Sequence, residues 1–227
     1  MKRQNQYYTL VASLPRLVRF DRAERLPINP QRLGERLRML EPEDGEVVDR
    51  AVALLAWQGR PMARTGGEMA VEYGRLAELM DRPALKGVFE FPVNLRTVMA
   101  ALRRRHRGLP VPEAGEPWGV GPLARHIERN WGEVDFGLTA LYPWIPRARA
   151  LLESGEALAL ERLLMSLNWE RADRLAEGDE FGFEAVLAYL FKWDLVKRWL
   201  SHNGEAAKAR FEELVSGVID EKERVFG

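Results

Sequence analysis

Residues 103–107 read RRRHR, and Arg103, Arg104, Arg105 and Arg107 form the one conspicuous cationic cluster in the sequence. Guanidinium groups this close together can contact phosphates or an acidic protein surface. They also suit the C-terminus of a helix, where positive charge complements the macrodipole. Proteins that bind nucleic acid carry basic charge broadly, whereas here 34 Lys and Arg face 34 Asp and Glu. No nucleic-acid partner is therefore expected. A protein partner is expected at Arg103, Arg104, Arg105 and Arg107, with Trp118 on the loop behind them, because Arg and Trp are favoured where binding energy concentrates. Reversing those arginines to Glu is expected to weaken assembly without unfolding the chain.

Other chemistry lacks its residues. Gly119, Gly121 and Ala124 match the GxGxxA pattern, in which a glycine turn entering a helix offers N–H groups to an anion. No strand precedes it, however, and the flanking prolines suit a plain helix entry. Neither a GxxxxGK[ST] phosphate loop nor a GxSxG nucleophile elbow occurs. His106, His126 and His202 are the only histidines, and no HExxH or helical ExxH pair is formed. Zero cysteines exclude thiolate ligands and thiol nucleophiles. Glu41–Glu46 reads as an acidic helix start rather than a metal site. No catalytic residue, cofactor or metal is expected, and the chain reads as a non-enzyme.

The elements that position these residues are helical wherever a period can be read. With 227 residues, 46% of them apolar, the chain can bury a substantial core. No apolar run approaches the roughly 18 to 20 residues of a bilayer-spanning helix. Lys2 and Arg3 ahead of Tyr7–Leu14 imitate a secretory signal, but Pro15–Arg25 offers no small-residue cleavage site. YYTLVASLP at Tyr7–Pro15 predicts a short helix ended by Pro15. Asn29-Pro30 predicts a cap and first turn for a helix to Met39 or Leu40, and Pro42 opens another through Trp57. Further helices are predicted over Glu68–Met80, from Pro83 to Phe91–Pro92, and over Val93–Arg107. In the last of these Leu95, Val98, Met99 and Leu102 share one face.

Residues 109–121, LPVPEAGEPWGVG, form a Pro- and Gly-rich connection where the charge balance changes sign. Residues 1–110 hold 20 Lys and Arg against 13 Asp and Glu, and residues 111–227 hold 14 against 21. Beyond the connection, helices are predicted near Pro122–Trp131, Phe136–Tyr142, Ile145–Glu153, Glu156–Ala176, Phe181–Ser201 and Glu205–Glu223. The one at Phe181–Ser201 has two apolar seams, Val186, Tyr189, Trp193, Val196 and Leu200 on one and Phe191, Leu195 and Trp199 on another, so it belongs between neighbours. Asp194 can pair with Lys197 or Arg198 a turn later. The expected architecture is an all-α helical bundle of roughly 9 to 11 helices. It forms a single all-helical domain over 1–227 with lobes at 1–108 and 122–227 joined by 109–121.

Three stretches resemble uncharacterised bacterial proteins encoded among V-type ATPase subunits. They are YYTLVASLP at Tyr7–Pro15, HIERNWGEVDFGLTALYPWI at His126–Ile145, and FGFEAVLAYLFKWDLVKRW at Phe181–Trp199. A fainter likeness links FEFPVNLRTVMAALRRRHRG at Phe89–Gly108 to the C subunit of V-type ATPases, called d in eukaryotes. Asn94-Leu95 and Asp194-Leu195 lie 100 residues apart, each with a Phe three residues before the polar member, in the manner of a degenerate duplication. The resemblance implies an all-helical coupler between the central rotor stalk and the membrane rotor ring. It also implies a cytoplasmic protein held at the inner membrane by its partners rather than by insertion. The chain is shorter than typical C subunits, which places the socket geometry in question. A transient assembly or regulatory factor is the alternative, and a helical enzyme without a recognisable motif is a third reading.

Overall fold

The computed structural model describes residues 6–58, 74, 83–113, 115–116 and 118–202. The described residues form helices joined by turns, with no strand among them. In chain order these are α1 (Tyr8–Ser13), α2 (Pro30–Leu37), α3 (Pro42–Gln58), α4 (Pro83–His106), α5 (Leu123–Arg129), α6 (Ile145–Glu153) and α7 (Ala157–Ala176). Helix α8 follows through residues 183–202. The helices expected over Glu68–Met80 and Glu205–Glu223 lie outside the described residues.

Local chemistry sets the helix ends. Pro15 biases Leu14 to extended backbone, ψ 130°, and α1 stops there. The Asn29 side chain accepts a hydrogen bond from the Arg32 amide at 2.8 Å, and Pro30 fills the first helical position of α2. Glu43 and Asp44 occupy the first turn of α3, where their charge faces the positive end of the dipole.

Helix α4 corrects one expectation. The sequence places a helix end at Phe91–Pro92, but α4 runs unbroken through Pro92. An internal proline loses a backbone hydrogen bond and crowds the preceding turn, at a cost of about 3 kcal/mol. Burial of Val93 in one core cluster and of Leu95, Val98, Met99 and Leu102 in a second outweighs it, at roughly 1.5–3 kcal/mol per large side chain.

Three apolar clusters share the interior. The first joins α1, α2 and the start of α3 to the N-terminal half of α8, through Leu10, Leu33, Val48, Phe183, Val186 and Leu187. The second lies under the C-terminal half of α4, which packs on α5, α6 and α7. The third holds Phe20, Met165, Trp169, Leu195, Val196 and Trp199 between α7 and α8. Residues from both sides of segment 109–121 enter the first cluster, together with Val120 of that segment.

The aromatic richness of α8 has a use beyond burial. Residues 14–29 cross it as a strap, pinned by the polar tips of its aromatic side chains. Tyr189 Oη donates to the Pro15 carbonyl at 2.9 Å, and Trp193 Nε1 donates to the Ile28 carbonyl at 2.9 Å. Trp199 meets Phe20 edge-on at 5.3 Å. Asp194 lies 2.8 Å from Arg198 a turn later, as the spacing of α8 predicts, and Lys192 reaches Asp173 on α7, a pairing between helices that the spacing does not show.

Candidate functional site

The connection from α5 to α6 contains the least ordinary backbone among the described residues. Asp135, Phe136 and Gly137 adopt successive left-handed conformations, with φ of 52°, 57° and 66°. The sequence predicts a right-handed helix over Phe136–Tyr142, and the structure replaces it with this turn. The Phe136 amide donates to the Glu133 carbonyl at 3.2 Å, and the Leu138 amide to the Asp135 carbonyl at 3.0 Å. Left-handed backbone costs roughly 1–2 kcal/mol at each non-glycine residue, whereas Gly137 adopts it freely.

Groups from three helices hold the turn against that cost. The Phe136 ring is fully buried in the second core cluster, where burial of such a side chain contributes about 2–3 kcal/mol. Arg105, near the end of α4, lies over that ring at 4.3 Å from its centroid and over Trp131 at 5.4 Å. Its guanidinium donates to the Trp131 carbonyl and, at 3.0 and 3.1 Å, to the Glu133 carbonyl. His126 of α5 donates from Nε2 to the Phe136 carbonyl at 3.0 Å.

The Asp135 carboxylate is 2% exposed and bonds Arg149 of α6, whose Nε lies 2.8 Å from Oδ1. That bond raises the Arg149 pKa. Burial lowers the Arg105 pKa, with the Asp135 charge opposing the fall and Arg149 adding to it. Asp135 thus lies within the electrostatic reach of two cations from different helices.

The clamped turn displays apolar side chains. Val134, immediately before it, is 73% exposed and Leu141, just after it, is 74% exposed. Large exposed aliphatic groups on a rigid connection are suited to contacting another protein. Strained backbone held this firmly concentrates at binding and switch sites.

The RRRHR residues turn to different neighbours. Arg104 donates to the Pro110 carbonyl at 2.7 Å and forks onto Glu116 at 2.5 and 3.1 Å, tying down the connecting loop. Arg105 holds the left-handed turn, and Arg103 lines a cleft against α7 and α8. Arg107 is exposed. Trp118 is half-buried and donates from Nε1 to Glu128 at 2.8 Å. Reversing Arg105 therefore removes a structural clamp as well as a charge, and Arg107 is the cleaner surface probe.

The GxGxxA glycines serve packing. A Cβ on Gly119 would come within 2.9 Å of the Thr97 methyl. The Thr97 hydroxyl donates to the Val120 carbonyl at 2.8 Å and accepts from its amide at 3.2 Å. Close backbone approach to α4 explains Gly119, and Gly121 supplies a positive φ of 84°.

Sequence reading did not single out Asp135, Phe136, Arg149, Val134 or Leu141. Asp135 and Gly137, two residues apart, are the types that tolerate left-handed backbone, and they were the available signal.

Residues 64–222, more than two thirds of the chain, match the family described as Protein of unknown function (DUF2764). The chain belongs to this family. Helices α4 to α8 and the clamped turn lie inside the DUF2764 stretch, whereas α1 to α3 and the strap precede it. No curated protein and no solved structure matches the chain.

Proposed function

We propose that this chain is a non-enzymatic subunit of a bacterial V-type ATPase that couples the central rotor stalk to the membrane ring, in the manner of a C (d) subunit. The resemblance of the stretches at Tyr7–Pro15, His126–Ile145 and Phe181–Trp199 to proteins encoded with that ATPase supports the assignment. The observation in the fold that carries it is the clamped left-handed turn, which holds exposed Val134 and Leu141 on a rigid support. A coupler transmits torque, and a close-packed aromatic interior resists the deformation that would dissipate it.

In this account the chain stays peripheral to the membrane through its partners. Among the described residues no helix is long and apolar enough to cross a bilayer. The test is the double variant Val134→Glu/Leu141→Glu, which places charge on two exposed positions and leaves the core intact. The variant is expected to melt like the parent chain and to lose co-purification with stalk and ring subunits. Undiminished co-purification removes the turn from the interface.

A further inference from the structure

Residues 15–28 leave and return at neighbouring points of one helix. The Pro15 carbonyl accepts from Tyr189 and the Ile28 carbonyl from Trp193, side chains rooted one turn apart on α8. Between these ends the backbone–backbone hydrogen bonds seen among the described residues stay inside the loop, from the Arg22 amide to Arg19 and from the Ala23 amide to Phe20. A compact excursion with its ends held together is an Ω-loop, the form that many lids take.

The tip of the loop carries its grip. Phe20 is fully buried against Met165 and Trp169 of α7 and Leu195, Val196 and Trp199 of α8, whereas Arg16, Val18, Arg22, Glu24 and Arg25 around it are exposed. Beside it Arg19 donates to the Ser166 hydroxyl of α7 at 2.7 Å. A segment held by one large anchor and a few side-chain bonds opens at a lower cost than the whole fold. The socket under Phe20 also adjoins a cleft of about 450 Å³ between α4, α7 and α8, because Met165 and Leu195 line both.

We infer that residues 15–28 are a lid, hinged at Pro15 and Ile28, that lifts Phe20 out of its socket while the helices stay folded. Lifting it uncovers Trp169, Val196 and Trp199 and extends the cleft past Met165 and Leu195. The hinge bonds to Tyr189 and Trp193 survive the motion, since both ends stay in place. The inference does not depend on the ATPase reading.

The chain contains no cysteine, so Val196→Cys puts a single thiol beneath Phe20 at a position 1% exposed. Its labelling by N-ethylmaleimide in the full chain is expected to run at least about tenfold faster than global unfolding in urea allows, and to change little with low urea, because a lid exposes little surface. Adding Phe20→Ala is expected to speed labelling about a hundredfold, and Phe20→Leu, which preserves more of the packing, about fivefold. Hydrogen exchange separates a lid from wider loosening: with Phe20→Leu the α8 amides and the Trp193 indole N–H are expected to keep their rates. Labelling that tracks global unfolding overturns the lid. So does acceleration of the α8 amides or of the Trp193 N–H in step with the thiol.

Discussion

The Arg105 guanidinium sits 4.3 Å from the centroid of the buried Phe136 ring, joining the end of α4 to a left-handed turn 31 residues later in the chain. The same side chain bonds the carbonyls of Trp131 and Glu133. A residue from the most basic stretch of the sequence thereby becomes an internal brace. The energetic consequence is that charge at position 105 is insufficient without the planar fork of donors that arginine supplies.

Arg105→Lys therefore keeps the charge and loses the brace. Equilibrium urea unfolding is expected to give a stability about 1–3 kcal/mol below the parent chain. Arg107→Lys, at an exposed position, is expected to stay within about 0.5 kcal/mol. Equal midpoints for the two variants would remove the bracing role.

Arg149→Met leaves the Asp135 carboxylate buried without its bonded cation. Removing one partner of such a pair is expected to cost about 3 kcal/mol. Adding Asp135→Asn removes the stranded charge and is expected to recover part of the loss. A double-mutant cycle reads the coupling directly, and strict additivity contradicts it.

Gly119→Ala drives a Cβ to within 2.9 Å of the Thr97 methyl and is expected to cost about 1–3 kcal/mol. Thr97→Ser deletes that methyl and keeps the hydroxyl that bonds Val120. Thermal melts of the double variant are expected to show rescue relative to Gly119→Ala alone. A double variant no more stable than the single one shows that the clash lies elsewhere.

Alkaline pH probes two phenols with raised pKa values, Tyr7 bonded to Asp44 of α3 and Tyr189 bonded to the strap at Pro15. The Tyr7 pKa is raised from 10.0 to about 12, first by burial and then by its hydrogen bond to Asp44, whose Oδ2 lies 2.6 Å away. Burial raises the Tyr189 pKa from 10.0 to about 12. Both folded-state values exceed the unfolded one, so these phenols contribute stability fully below pH 10, and the contribution is lost as pH rises to about 12. Tyr189→Phe is expected to flatten stability against pH across that window. An unchanged slope means that Tyr189 does not titrate with unfolding.

Much of the helical plan was legible because its determinants are local. Asn29 and Pro30 cap α2, Pro15 ends α1, and the spacing of Val186, Trp193 and Val196 fits the two core clusters that α8 joins. The continuity of α4 through Pro92 was not legible, since the burial that sustains it comes from partners distant in sequence. The left-handed turn was hidden for the same reason. Asp135 and Gly137 permit it locally, but Arg105, His126 and Arg149, drawn from three helices, enforce it. Those same contacts show why RRRHR cannot be read as surface charge from its composition alone.

The ATPase assignment is tested most directly by the stoichiometry of what the tagged chain brings with it. The measurement is affinity purification from its own organism in mild detergent, followed by quantification of V-type ATPase subunits. The account predicts central-stalk and membrane-ring subunits with one copy of this chain per active complex. Recovery of the chain alone, or of an active complex that lacks it, contradicts the account.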